Sequence, residues 1–155
     1  MELYLDADGC PVKEETYKVA RRYSLTVHVV ANAILRVPPD PLIVMVVVPH
    51  GFDAADNWIA ERIGPVDIAI TADIPLAERC LIRGARVISP RGEPFSEDGI
   101  GEALATRALL EMLRQSGAIG GGPPPFSPRD RSKYLAELDH SIQAVQRKIA
   151  KRKPL

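Results

Sequence analysis

The sequence predicts an α/β fold in which a mainly parallel sheet of about five strands is flanked by helices, with a C-terminal helical extension. Apolar segments rich in β-branched residues alternate with segments whose apolar residues recur at helical spacing. A continuous apolar run over 42–48 ends at Pro49 and is typical of a strand covered on both faces. This alternation favours parallel strands that are connected by helices.

Short apolar segments predict the strands, and turn residues mark their ends. Gly9 and Pro11 follow the first strand, and Pro11 fits the first turn of a helix. The second strand is rich in β-branched residues, and the third is the apolar run. After a first strand that runs into Asp6 and Asp8, the predicted strands cover residues 25–31, 42–48, 66–71 and 86–89.

Helical spacing of apolar residues predicts the helices between the strands. In the first helix, Val12, Thr16, Val19 and Tyr23 recur at this spacing. A Gly-Pro pair breaks the second helix, and Gly84 is placed like a helix stop after the third. The predicted helices cover residues 12–23, 53–63, 74–83, 97–115 and 128–151, and residues 33–41 and 90–95 are predicted connections.

The composition changes at Gly117. The stretch 120–125 reads GGGPPP, cannot continue a helix and predicts a semi-rigid connection. It leads to the last helix, for which Ser127 and Asp130, three residues apart, form a plausible capping pair. We predict a single domain over residues 1–155, with the connection and the basic helix of 118–155 packing on it.

Composition bounds the function classes. The chain has 155 residues, 26% of them charged, and a formal net charge of zero, so bulk charge favours neither nucleic acid nor a membrane as partner. Cys10 and Cys80 lack the spacing of a metal knuckle or redox pair, and we expect reduced thiols in a cytoplasmic protein. No signal peptide is expected, and no apolar run is long enough to span a membrane.

Five aspartates follow the carboxyl ends of predicted strands. Ligand sites of open parallel sheets lie at this edge, so we expect these side chains to share a site. Asp67 begins its strand and is excluded, because it belongs at the opposite edge. The candidate catalytic residues are Asp6, Asp8, Asp53, Asp56 and Asp73.

Each aspartate also has a simple structural explanation. Asp6 can be a turn residue, and Asp8, Asp53 and Asp73 can cap the helices that follow them. Asp56 is an acid in a first helical turn. Five such acids at one edge repel one another unless they are well solvated or bind a cation. A carboxylate-and-water shell suits Mg²⁺ or Mn²⁺. The candidate metal ligands are Asp6, Asp8, Asp56 and Asp73.

Other catalytic motifs are weak or missing. The sequence contains no GxxxxGK[ST] loop and no GxSxG elbow. His28 lies in mid-strand and is interpreted as structural, and His50 as a loop residue beside the proposed site. Cys10 lies near a helix N-terminus, which lowers a thiol pKa, but the neighbouring Asp8 offsets this effect.

Basic residues concentrate near the C-terminus. Between Arg129 and Lys153, eight basic residues face three acidic ones. Such a segment can neutralise phosphates, or it can be a solvated helix with a frayed basic end. The candidate nucleic-acid-binding residues are Lys13, Arg91, Arg129 and Arg131.

An ordered set of motifs spans most of the chain: DADGCPVK from Asp6, DAADNWI from Asp53, ITADIPLA from Ile70, PRG from Pro90 and GGP…F…DR ending at Arg131. Together these motifs resemble the YaiI/YqxD family of uncharacterised bacterial proteins. The family is similar to PIN-like and NYN-type nuclease domains. The resemblance implies a PIN-like α/β fold with the five aspartates gathered for a divalent metal. It implies no proven activity.

Three hypotheses follow. The leading one is a Mg²⁺- or Mn²⁺-dependent nuclease that hydrolyses phosphodiester bonds in RNA by attack of an activated water. The second is a phosphatase of the haloacid-dehalogenase type, with Asp6 as nucleophile and Thr71 in its next motif; the lysine motif and late acidic pair of that class are not convincing here. The third is a non-catalytic protein that binds a metal or nucleic acid.

Overall fold

A six-stranded sheet runs through the computed structural model, which describes residues 1–51, 53–120 and 124–152. The strands are β1 (Glu2–Asp6), β2 (Thr26–Ala31), β3 (Ile43–Val47), β4 (Ile68–Ile70), β5 (Arg86–Ile88) and β6 (Pro94–Phe95). The helices are α1 (Lys13–Tyr23), α2 (Ala54–Arg62), α3 (Ile74–Ile82), α4 (Glu97–Gln115) and α5 (Pro128–Arg152).

The sheet confirms the predicted fold class. Its strands lie in the order β3-β2-β1-β4-β5-β6, and every pairing among the first five strands of the chain is parallel. Strand β1 is central and pairs with β2 on one side and β4 on the other. Its side chains alternate between two layers, so that Leu3 and Leu5 face one core and Tyr4 the other.

Strand β6 is a difference from the sequence prediction, which expected a connection over residues 90–95. Pro94 and Phe95 pair antiparallel with β5. The chain reverses in a tight turn that is closed by the bond from the Ser89 N–H to the Glu93 carbonyl, 2.8 Å long, and that contains Gly92 at φ +82°. A two-residue strand is too short to show the alternating pattern from which strands are predicted.

Helices cover both faces of the sheet. Helices α1 and α5 pack with Leu3 and Leu5, while α2, α3 and the first residues of α4 pack with Tyr4. Helix α5 buries a stripe at helical spacing that includes Tyr134, Leu138 and Ile142. The helix is tied to α1 by the buried hydrogen bond between the hydroxyls of Tyr134 and Thr16, 2.6 Å apart.

Helix α5 runs over one face of the sheet, from the carboxyl ends of the strands to their amino ends. Its first turn is fixed by reciprocal bonds between Ser127 and Asp130, which confirms the predicted capping pair. Asp130 also accepts a hydrogen bond from Arg91, near the carboxyl end of β5. Near the other end of α5, the Lys148 ammonium donates to the Pro65 carbonyl, which precedes β4. The predicted GGP stretch, residues 121–123, and Lys153 lie outside the described residues.

Two expectations from composition concern the cysteines and the membrane-spanning segments. Cys10 and Cys80 are free and buried. Within the described residues, no helix combines the length and the apolar character that crossing a membrane requires. Even α5, which has 25 residues, carries charged residues along its whole length.

We predict that Gly92→Ala destabilises the fold strongly. A Cβ at this position would lie 2.5 Å from the Lys133 carbonyl carbon and 2.6 Å from the Tyr134 nitrogen, both backbone atoms of α5. Together with the left-handed φ, this clash should lower the free energy of unfolding by roughly 2–5 kcal/mol, measured by denaturant unfolding.

The matched control is Gly101→Ala, because that glycine lies in α4 and a Cβ there meets open space. It should leave stability unchanged or raise it by up to about 1 kcal/mol, since alanine is the better helix former. Equal stability of the two variants would contradict the tight packing of the β5–β6 turn on α5.

Candidate functional site

The order of the strands opens a crevice at one edge of the sheet. From β1 the chain moves outwards through β2 and β3, then returns to place β4 on the other side of β1. The helix after β1 covers one face of the sheet, and the helix after β4 covers the other. The carboxyl ends of β1 and β4 therefore border a gap between diverging helices, which is the usual ligand position in such sheets.

All five predicted aspartates line one cavity of about 350 Å³ at this crevice, which we call the acidic cleft. Its lining residues are Asp6, Asp8, Asn32, Gly51, Asp53, Ala54, Ala55, Asp56 and Asp73. The excluded Asp67 lies at the opposite edge. There it accepts hydrogen bonds from the backbone N–H groups of Glu2 and Gly64, both 2.9 Å long, at the start of β1 and before β4.

Thr71 connects the carboxylates that follow β1 and β4. Its hydroxyl donates to Asp6 Oδ2 over 2.7 Å and accepts the Asp73 N–H over 2.9 Å. Asp73 Oδ1 in turn accepts the Leu76 N–H over 3.0 Å and caps α3, as the structural explanation of this residue predicts. Thr71 is only 1% exposed, so it holds Asp6 and the start of α3 in a fixed relation.

Asp8 is held by the end of the second strand. Its Oδ2 accepts the Asn32 backbone N–H over 3.1 Å. The interpretation of Asp8 as the cap of α1 is wrong, because Val12 occupies the N-cap position and no side chain caps that helix. The hydrogen bond instead joins the loop after β1 to the residue that follows β2.

Asn32 is a site residue that the sequence did not nominate. Its amide oxygen is buried and has no hydrogen-bond partner among the described residues, although it belongs to the lining of the acidic cleft. A buried amide oxygen without a partner is costly, and such groups call for a ligand or an ordered water. Its position directly after β2 follows the same strand-end rule that selected the aspartates.

Asp53 and Asp56 face the cleft from the start of α2. Asp53 occupies the N-cap position but makes no side-chain capping bond, and its φ is +66°, in the left-handed region. The prediction that its side chain caps the helix is therefore wrong. A non-glycine residue in this region is uncommon, though aspartate tolerates it better than most.

The electrostatics of the cleft oppose ionisation. Burial raises the pKa of Asp56 to about 6, and the charges of Asp73, Asp6 and Asp53 add to this rise while Arg79 opposes it. Burial also raises the pKa of Asp6, with smaller contributions from Asp73 and Asp8, against the hydrogen bond from Thr71. Carboxylates that repel one another in this way favour a bound cation.

The donor set of the cleft consists of oxygen atoms. Carboxylate and amide oxygens suit hard divalent ions such as Mg²⁺. Among the described residues, however, no three His, Cys, Asp or Glu side chains form a group that would hold an ion by themselves. Cys10 lies near the cleft, but burial raises the pKa of its thiol, which disfavours a nucleophilic role. His50 is exposed and does not line the cleft.

The predicted nucleic-acid-binding residues differ in their surroundings. Arg91 pairs with Asp130 at 3.0 Å and also donates to the Pro124 carbonyl. Arg131 pairs with Glu15 at 3.6 Å and lies over the Phe126 ring. The Lys13 ammonium donates to the Cys10 carbonyl over 3.0 Å, and Arg129 is exposed and pairs with no described residue.

Most of the basic C-terminal tail lies far from the acidic cleft. The anchoring of Lys148 to Pro65 places the end of α5 at the edge of the sheet where the strands begin. Among the described residues, Arg147, Lys148, Lys151 and Arg152 therefore lie away from the five aspartates. This position fits the alternative of a solvated basic end for the described part of the segment.

Together, the fold and the cleft define an α/β protein with a carboxylate site at the switch point of its sheet. The model described as "Uncharacterized BCR, YaiI/YqxD family" matches residues 4–144, and the chain belongs to this family. No solved structure matches the chain. The similarity to PIN-like and NYN-type domains therefore stays a prediction.

Relatives of this chain span nearly its whole length. It is 57% identical over 150 residues to a UPF0178 protein of Bradyrhizobium sp. (strain ORS 278), covering 97% of this chain and 92% of the relative. It is 56% identical over 148 residues to a UPF0178 protein of Rhodopseudomonas palustris (strain BisB5), covering 96% and 90%. A UPF0178 protein of Paramagnetospirillum magneticum is 55% identical over 148 residues, covering 96% and 98%.

We predict that Asp56→Asn stabilises the protein at neutral pH. The pKa of Asp56 is about 6 in the folded chain against an ordinary value of 3.8, so the native state holds the proton more tightly than the unfolded state. Its contribution is fully present below about pH 4 and is lost as the pH rises through 6. The variant should therefore melt above the wild type at pH 7 and converge with it near pH 4.

Asp40→Asn is the control with the opposite sign. The Leu42 N–H, followed by Arg21, lowers the pKa of Asp40, so its contribution is present above the ordinary value and lost as the pH falls. This variant should melt below the wild type at pH 7. Thermal melts from pH 4 to 8 measure both effects, and a lower melting temperature for Asp56→Asn at pH 7 would contradict the repulsion in the cleft.

Proposed function

We propose that this protein is a Mg²⁺- or Mn²⁺-dependent nuclease that hydrolyses phosphodiester bonds in RNA. The observation that carries the proposal is the convergence of five aspartates and an unpaired buried amide oxygen on one cleft. The choice of RNA rests on the resemblance to PIN-like and NYN-type nuclease domains. Nothing among the described residues favours the phosphatase alternative.

The residues present fit a divalent ion that keeps much of its water. The cleft offers oxygen donors only, and its carboxylates are too dispersed for three of them to enclose an ion. Mg²⁺ usually retains several waters and binds through one or two carboxylates. Of Asp6, Asp8, Asp56 and Asp73, one or two would bind the ion directly and the others through its water molecules, with Asp53 and Asn32 assisting. When bound, it would activate water and stabilise charge on the phosphoryl oxygens.

The chain supplies the orientation that such chemistry needs. Thr71 fixes Asp6, the Asn32 N–H fixes Asp8, and the first turn of α3 fixes Asp73. These restraints come from the segments that follow β2 and β4, so the carboxylates keep their separation when a substrate binds. No protein nucleophile is required.

We expect Mg²⁺ and Mn²⁺ to raise the melting temperature of the wild type. An ion at 100 times its dissociation constant stabilises the folded state by about 2.7 kcal/mol. Asp8→Asn should keep the bond to the Asn32 N–H but lose most of this response. Asn32→Leu should also weaken it, although stability without metal should be unchanged or higher, because an unpaired buried oxygen is removed.

The matched control is Asp98→Asn, an exposed acid in the first turn of α4 that does not line the cleft. It should respond to metal like the wild type. Equal metal responses in all four proteins would mean that the cleft is an acidic surface and not a metal site.

We expect the wild type to cleave single-stranded RNA when Mg²⁺ or Mn²⁺ is present and to stop when EDTA removes the ion. Asp8→Asn should reduce the cleavage rate by about a hundredfold or more, while Asp98→Asn should leave it unchanged. Gel analysis of a labelled oligonucleotide measures both. Cleavage that survives EDTA and Asp8→Asn would contradict the proposal, and a metal response without turnover would favour the non-catalytic alternative.

A further inference from the structure

A second, larger cavity adjoins the acidic cleft. It has a volume of about 990 Å³ and lies between α4 on one side and the β5–β6 turn together with Phe126 on the other. We call it the α4 groove. Asp6 and Asp8 line both cavities, so the groove opens directly onto the carboxylates. Its size falls at the upper end of the range for sites that hold small organic ligands.

The walls of the groove are mostly apolar and also carry three arginines, Arg91, Arg107 and Arg114. Phe95, Leu110 and Phe126 contribute apolar surface. Arg107 lines the groove from an exposed position on α4 and pairs with none of the described residues. By contrast, Arg91 on the facing wall is already engaged by Asp130.

One face of α4 forms the groove wall along its whole length. Ala103, Thr106, Leu110 and Arg114 line it at spacings of three and four residues. Leu109, the residue before Leu110, is 54% exposed and does not line the groove. The wall is therefore a defined helix face, and neighbouring residues of similar chemistry lie outside it.

This chemistry fits a nucleotide better than a purely apolar or a purely anionic ligand. A base has π-faces that pack on aromatic and aliphatic side chains, and its phosphate pairs with arginine. Glu93 and Glu102 also line the groove, where their carboxylates can accept hydrogen bonds from base amino groups. A multiply charged anion without a base would also meet the carboxylates of Asp6 and Asp8, and these four acids offset the three arginines of the groove.

We propose that the α4 groove binds an unstacked nucleotide of single-stranded nucleic acid, next to the phosphate that lies at the acidic cleft. Its base packs against Leu110 and the phenylalanines, and its backbone contacts Arg107. The placement next to the scissile phosphate rests on the proposed nuclease function, but binding of the strand does not require turnover.

The test is the binding of a fluorescein-labelled 12-nucleotide RNA, measured by anisotropy in Ca²⁺ and in EDTA. Leu110→Glu and Arg107→Glu should each weaken binding by about tenfold or more. Leu109→Glu is the control for the first, one residue away on the same helix. Arg147→Glu is the control for the second, because it makes the same charge change at the far edge of the sheet. Both controls should stay within about threefold of the wild type.

Two further strands define what is recognised. An abasic strand of the same length should bind the wild type about tenfold more weakly than RNA, and Leu110→Glu should weaken it less than it weakens RNA. A DNA strand of the same sequence tells whether the groove distinguishes the sugar. Circular dichroism and melting temperatures check that the exposed substitutions leave the fold intact.

Failure of the groove and failure of the nuclease give different results. Equal weakening by all four substitutions, or binding of RNA in neither Ca²⁺ nor EDTA, would overturn the groove proposal. Cleavage with Mg²⁺ that is unaffected by Leu110→Glu and Arg107→Glu would also overturn it while leaving the nuclease intact. Suppose that Leu110→Glu and Arg107→Glu weaken binding, that both controls do not, and that the protein never cleaves RNA. This result would support the groove proposal and contradict the nuclease proposal.

Discussion

The reversal of strand order at β1 is the constraint on which the rest of the structure depends. Because β2 and β4 occupy opposite sides of β1, the helices that follow β1 and β4 must cover opposite faces of the sheet. The gap between them cannot be filled by either helix. The groups of the acidic cleft border this gap, since they lie at the end of a strand, in the loop that follows it or in the first turn of the next helix.

The sequence was sufficient to predict the fold class, the elements before β6 and the convergence of the five aspartates. Period-two and period-3.6 patterns persist over long segments, and the strand-end rule depends on connectivity alone. It was insufficient for Asn32, because an asparagine after a strand is also an ordinary turn residue and its burial depends on the packing around it. The sequence was also insufficient for the orientation of α5, which places the basic end of this helix away from the acidic cleft. This orientation depends on individual contacts, such as that of Lys148 with Pro65.

In the acidic cleft, some aspartates depart from the helix-capping and solvent-exposed roles that are usual for this residue type. Asp73 is an ordinary helix cap and a cleft residue at once, whereas Asp53 stands at a cap position without capping and has a left-handed backbone. Asp6 is held by a buried hydroxyl although burial opposes its charge. Carboxylates arranged against their own ionisation lower stability, and such arrangements concentrate at sites selected for binding or chemistry.

Because Gly92 lies close to α5, the two sides of the α4 groove differ in how firmly they are held in place. On one side, the β5–β6 turn is clamped to the backbone of α5, which is itself bonded to α1 through Tyr134. On the other side, α4 buries only Ile100, near its start, and its last two turns project into solvent. Local opening takes place where buried contacts are fewest. Any widening of the groove would therefore come mainly from displacement of α4, and the conformational entropy lost on binding the proposed nucleotide would be concentrated in that one helix.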